Sequence, residues 1–100
     1  MINKYYVFFE NQYQEIIQAK IFWESEKHLK SLKNRATKYF NEIKENIPEC
    51  AYISVYPESA VKAENEVRIN LSGKEHKATY TRVPMQHIFI KDIKANKWSW

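Results

Sequence analysis

The chain has 100 residues, of which 44% are hydrophobic and 15% aromatic, and a net charge of +4 at pH 7. A chain of this length buries roughly two-thirds of the surface its unfolded form exposes, so it can fold as one domain without disulfides or a structural metal. No apolar run approaches the ~20 residues of a spanning helix, and MINKYYVFFE at the start has neither a long apolar stretch nor a small-residue cleavage site.

The expectation is therefore a single domain over residues 1–100, cytoplasmic, with no membrane partner. Cys50 is the only cysteine. It has no internal disulfide partner and reads as a small, largely buried hydrophobe. The charge is uneven: residues 1–24 sum to −1, 25–48 to +3, 49–66 to −3 and 67–100 to +5. A clustered basic surface favours an acidic partner, whether an acidic protein surface, a nucleoprotein complex or nucleic acid itself.

Residues 4–9, Lys-Tyr-Tyr-Val-Phe-Phe, are aromatic and β-branched and predict a strand. Both of its faces are apolar, so it is either central and buried on both sides or leaves one face for a contact. After the polar break at Glu10-Asn11-Gln12, residues 14–23 alternate in part. Ile17, Ala19, Ile21 and Trp23 are expected on one face, opposite Gln18, Lys20 and Glu24. A helix is the competing reading for residues 13–23, because Ile16, Ile17 and Ile21 also fit a 3.6-residue period. Ser25 favours the hairpin, since a capping serine there starts a new element.

From Ser25 to Ile47 the pattern is helical. Leu29, Leu32, Ala36, Tyr39, Phe40, Ile43 and Ile47 recur every three or four residues, and Pro48 stops the run. Such a helix would be ~34 Å long. Residues 50–56 predict a strand with Ala51, Ile53 and Val55 on one face, and 57–66 an acidic loop. Residues 67–71 and 76–83 predict two strands joined by a turn at 72–75, with Ala78 and Tyr80 inward. Residues 86–91 predict a last short strand, leaving a tail from Asp92 to Trp100. The fold class is α+β: an antiparallel sheet of about five strands with one long amphipathic helix packed on one face, in ββαβββ order.

Two groups of residues are candidates for partner binding. Lys27, Lys30, Asn34, Arg35 and Lys38 lie opposite the helix's apolar stripe. The basic residues come early in the helix and Glu42 and Glu45 late. That order opposes the helix dipole, at about 0.3–1 kcal/mol for a poorly placed terminal charge, and selection for helix stability alone would reverse it. In the tail, Lys91, Lys94 and Lys97 interleave with Ile93, Trp98 and Trp100. Indoles beside lysines serve protein interfaces and single-stranded nucleic acid alike. The tail reads either as exposed or as folded back on the core.

No catalytic or cofactor motif is present. His28, His76 and His87 lack metal-ligand spacing. Asp92 is the only aspartate, and no strained serine turn accompanies it. Ser72-Gly73-Lys74 lacks the upstream glycine of a phosphate loop.

The expectation is a non-enzymatic, cofactor-free interaction protein that binds and inhibits or modulates a larger partner, in the style of the anti-defence (anti-CRISPR-like) inhibitors of phages and mobile elements. The binding residues would be Lys27, Lys30, Arg35, Lys38, Lys94, Lys97, Trp98 and Trp100. The alternative is a direct nucleic-acid binder using the same residues, and a homodimer is a further arrangement.

Overall fold

The computed structural model describes residues 1–63, 80–83 and 86–99. The strand expected at 67–71, its turn at 72–75, His76, Ala78 and Trp100 lie outside the described residues.

The chain opens with an antiparallel hairpin, β1 (Ile2–Glu10) and β2 (Ile16–Ser25). The turn is built by Asn11, whose Oδ1 accepts from the backbone N–H of Tyr13 at 2.9 Å and of Glu15 at 3.0 Å. Gln14 takes the left-handed conformation, with φ of 62°. These bonds use an asparagine's ability to mimic a backbone turn, and they end the strand where the apolar alternation stops. The strand reading of residues 16–23 thus prevails over the helical one.

The faces of β2 differ from the expectation. The pairing slips by one residue between Phe9 and Glu10, so that Phe9 faces Gln18 and Glu10 faces Ile16. Ile17 packs on the helix side of the sheet, whereas Ile16 and Ala19 pack on the other. Phe22 is the residue that β2 buries, while Ile21 and Trp23 stay exposed. A one-residue slip at a bulge exchanges the two faces of a strand, and sequence alternation carries no mark of it.

Ser25 does cap a helical segment, its Oγ accepting from the Lys27 N–H at 3.3 Å. That segment is a 3₁₀ turn over residues 26–28, then α1 (Leu29–Ile43), then a second 3₁₀ turn over residues 44–46. The expected single α-helix over 25–47 is therefore tightened at both ends, and the α-helical part is about 22 Å long. Ile47 leaves the helix because a residue before proline is pushed out of the α region; its φ is −131° and its ψ is 61°. The apolar stripe behaves as its spacing predicts. Leu32 and Ala36 are fully buried, with Leu29, Tyr39, Phe40 and Ile43 packed around them.

β3 (Tyr52–Pro57) pairs antiparallel with β1. A 3₁₀ turn at residues 58–60 leads into β4 (Val61–Ala63), so the acidic stretch expected as a loop contains a strand. β5 (Tyr80–Arg82) pairs with β4 in a separate two-stranded sheet. β6 (Phe89–Asp92) joins β3, and β7 (Lys97–Ser99) joins β6. The main sheet runs β2-β1-β3-β6-β7, an α+β antiparallel sheet of five strands with one helix.

β1 lies inside this sheet and is buried on both faces, which places its aromatic residues in two cores. Tyr5, Val7 and Phe9 meet α1 together with Ile53 and Val55. Tyr6 and Phe8 meet Tyr56, Ala60 and Tyr80. The Tyr80 ring lies 5.4 Å from both Tyr6 and Phe8, so the β4–β5 sheet covers the face opposite α1. An antiparallel sheet often leaves one face to water; here aromatic burial on that face recruits a third layer.

Candidate functional site

The helix lysines keep their outward position. Lys27, Lys30 and Lys38 are exposed, and among the described residues none of them forms an ion pair. The first turn of α1 holds no acid and its last turn no base, but the flanking 3₁₀ turns place Glu26 at the start of the helical segment and Lys44 near its end, so the dipole-opposing order holds only within α1.

Arg35 sits on the β2 flank of the helix and is engaged. Its Nη1 donates to the Trp23 carbonyl at 3.0 Å and pairs with Glu24 Oε2 at 3.3 Å, and its guanidinium lies 4.8 Å from the Phe22 ring. The backbone N–H of Ser25, with help from Ser31 and Arg35, holds the Glu24 carboxyl below its ordinary range. Arg35 therefore fastens α1 to β2 rather than standing free beside the lysines.

The tail is folded, not loose. Asp92 Oδ1 accepts from the backbone N–H of Lys94 at 3.0 Å and of Ala95 at 3.2 Å, and Asn96 adopts a φ of 51°. This aspartate and asparagine close the β6–β7 turn, and the sole aspartate is thereby committed to structure. Trp98 is half-buried on β7, edge-on to Phe89 at 6.1 Å, and packs against the helix-side core. Lys94 and Lys97 remain exposed on the turn and strand.

Lys33, which the sequence reading did not single out, joins the two groups. Its Nζ lies 4.3 Å from the Phe89 ring centroid and 6.0 Å from Trp98. From the other side, the largely buried Lys91 brings its Nζ to 5.8 Å from Trp98. Two ammonium groups lean on one aromatic pair with no carboxylate bound to either among the described residues. Cation–π contacts of this kind are worth about 0.5–1 kcal/mol where exposed. Lys33 could have been found by its place on the wheel, next to the apolar stripe, but only the fold brings it to Trp98.

The result is a basic shoulder running from α1 (Lys30, Lys33) across Trp98 to Lys91 on β6; Lys94 lies in the turn, and Lys97, next to Trp98 on β7, points to the opposite face of the sheet. Chemically it can attract anions and offer lysine stems and an indole edge. Among the described residues no group of three metal-ligating side chains occurs, and no helix is long and apolar enough to cross a membrane. His28 is exposed at the helix start, and His87 stands edge-on to Tyr56 at 5.9 Å.

Cys50 is half-buried, with its Sγ donating to the Tyr52 carbonyl at 3.4 Å. Burial pushes its thiol up to about 11, which removes it as a nucleophile near neutral pH.

A second concavity lies where β1 begins and where β2 and β3 end. It has a volume of about 550 Å³ and is walled by Ile2, Tyr5, Trp23, Leu29, Pro57 and Ile88, with Lys4, Glu26 and Glu58 among its polar groups. No protein-family model, curated protein or solved structure matches the chain.

Proposed function

We propose that the chain is a small, non-enzymatic interaction protein that binds an acidic surface of a larger macromolecular partner and thereby inhibits or modulates it. The observation that carries this reading is the Lys33 contact with Phe89 and Trp98, which joins the basic flank of the helix to Trp98 and Lys91 on β7 and β6. The two ion pairs among the described residues use Arg35 and Arg82, so the exposed lysines of that surface keep their charge for a partner. A compact inhibitor of the anti-defence kind needs nothing more than such a rigid charged face.

Direct nucleic-acid binding is the second reading, favoured by an indole flanked by lysines. It ranks lower because the Trp98 ring is packed against Phe89 and its lysines rather than presented for stacking.

The test uses the full chain and a Lys30→Glu/Lys33→Glu variant in pull-downs from host cells, alongside salt titrations with duplex and single-stranded oligonucleotides. The proposal expects one stoichiometric protein partner, lost on charge reversal while the circular-dichroism spectrum is unchanged. Retention of that partner by the variant overturns the site. Oligonucleotide binding whose log affinity falls by about 0.9 per neutralised phosphate with log salt overturns the protein-partner reading in favour of nucleic acid.

A further inference from the structure

The cleft at the strand ends differs from the lysine shoulder in every respect that matters to a ligand. Its floor and walls are apolar and aromatic, from Ile2, Tyr5, Leu29, Pro57 and Ile88. Its rim carries two carboxylates, Glu26 from the start of the helical segment and Glu58 from the turn after β3, against one cation, Lys4. Neither carboxylate is in an ion pair among the described residues, although the Lys4 ammonium, 5.1 Å from the Tyr6 ring, is also within electrostatic reach of Glu58. A chain of net charge +4 thus carries an acidic-rimmed apolar cleft.

The apolar surface does not end at the cleft. Trp23 is 59% exposed and Ile2 65% exposed, although both line the cavity. On the sheet face away from α1, Trp23 is paired with Lys4, and Ile21, also exposed, is paired with Tyr6. Ile2, Trp23 and Ile21 therefore form a continuous strip leading out of the cavity along β2. β2 is an outer strand of the sheet. A cavity of this volume accepts a side chain or small molecule, and the strip beside it calls for an occupant longer than the cavity. Isolated exposed hydrophobic residues need no explanation, but a contiguous group bordering a cleft does.

We propose that this cleft docks an extended peptide segment of a protein partner in which an aromatic or aliphatic side chain stands next to a lysine or arginine. The apolar side chain enters the cavity between Leu29, Ile88 and Pro57. The neighbouring cation meets Glu26 or Glu58 and the face of Trp23, where charge pairing and cation–π attraction act together. The remainder of the segment lies along the side chains of the Trp23–Ile21 strip. The charge requirement is opposite to that of the lysine shoulder, so the two surfaces are independent and one small protein can hold two partners at once.

The experiment measures fluorescence polarisation of two labelled peptides with the full chain, one alternating lysine with phenylalanine and leucine and its counterpart with glutamate in place of lysine. The lysine peptide is expected to bind, with quenching or shift of tryptophan emission, and the glutamate peptide to bind at least about tenfold more weakly. Glu26→Gln/Glu58→Gln should weaken the lysine peptide roughly tenfold at low salt, as the loss of two exposed ion pairs predicts. Trp23→Ser should abolish binding, and Lys30→Glu/Lys38→Glu should leave it unchanged. All three cleft residues are largely solvent-facing, and the Glu26→Gln/Glu58→Gln variant keeps the test valid even if Trp23→Ser perturbs the fold. The proposal is overturned if neither peptide binds, if both bind equally, or if the cleft variants bind as the wild type does. It is also overturned if sedimentation reveals a dimer that Trp23→Ser dissolves, which would assign the strip to a second copy of the chain. Loss of the acidic partner on shoulder variants, with peptide binding intact, separates this site from the proposed function.

Discussion

The guanidinium of Arg82, on β5, is bound to the carboxylate of Glu10, on β1, across 72 positions of chain. Glu10 is 1% exposed and is satisfied on both oxygens, because Ser54 Oγ donates to Oε1 at 2.6 Å. Arg82 also donates through Nη2 to the Gln14 carbonyl at 2.8 Å and lies 5.8 Å from the Tyr56 ring. This cluster ties the β4–β5 sheet, the first hairpin turn and β3 together beneath the aromatic second core. Its groups are mutually satisfied, which marks it as structural.

Removing one member leaves a buried charge without compensation, which costs about 3–5 kcal/mol. Arg82→Met should therefore lower unfolding stability in urea by roughly 3 kcal/mol, and Arg82→Met/Glu10→Gln should recover much of that loss. Additive losses in the double variant would show that the two residues do not act as a pair.

The lysine face should be energetically idle in the free protein. Lys30→Glu/Lys38→Glu is expected to change unfolding stability by no more than roughly 0.5 kcal/mol, as for surface substitutions away from special features. Chemical denaturation checks it, and marked destabilisation would assign the face to structure.

Trp98 should behave as a packed residue. Full burial makes aromatic truncation cost about 3–5 kcal/mol, and its half-buried state reduces this to roughly 2 kcal/mol for Trp98→Ala. Its loss should also free the β6–β7 hairpin, read as faster amide exchange at Lys91 and Ile93.

The thiol and phenols predict the alkaline limit of stability. Burial raises Cys50 from 9.0 to about 11 and raises Tyr56 and Tyr80 above the usual 10.0. A folded-state pKa above the unfolded one means stability is level below the unfolded value and falls as pH rises through the folded one. The contribution of these three groups should thus be constant below about pH 9 and decline above it. Cys50 should react with a thiol reagent at neutral pH far more slowly in the folded chain than in denaturant, because thiolate is the reacting form.

Local physics was enough for much of the fold. The Leu29–Ile43 spacing compels an amphipathic helix, Pro48 ends it, and aromatic runs such as Tyr5–Phe9 have no stable place but a buried strand. The capping role of Ser25 was likewise written in its position before the apolar repeat. These statements hold because propensity, periodicity and capping act over a few residues.

Tertiary structure decided the rest, because the deciding contacts join residues far apart in sequence. The slip opposite Phe9 sends Ile17 to the helix side and Ala19 to the other, and pairing geometry rather than composition sets it. Lys33 belongs to the basic shoulder only because β6 and β7 fold under the helix flank. Glu10 is tolerable in the interior only because β5 delivers Arg82. The sequence by itself determined an α+β domain with a lysine-faced helix; long-range packing determined which lysines share a surface, and that Trp98 packs against the core while Trp23 stays exposed.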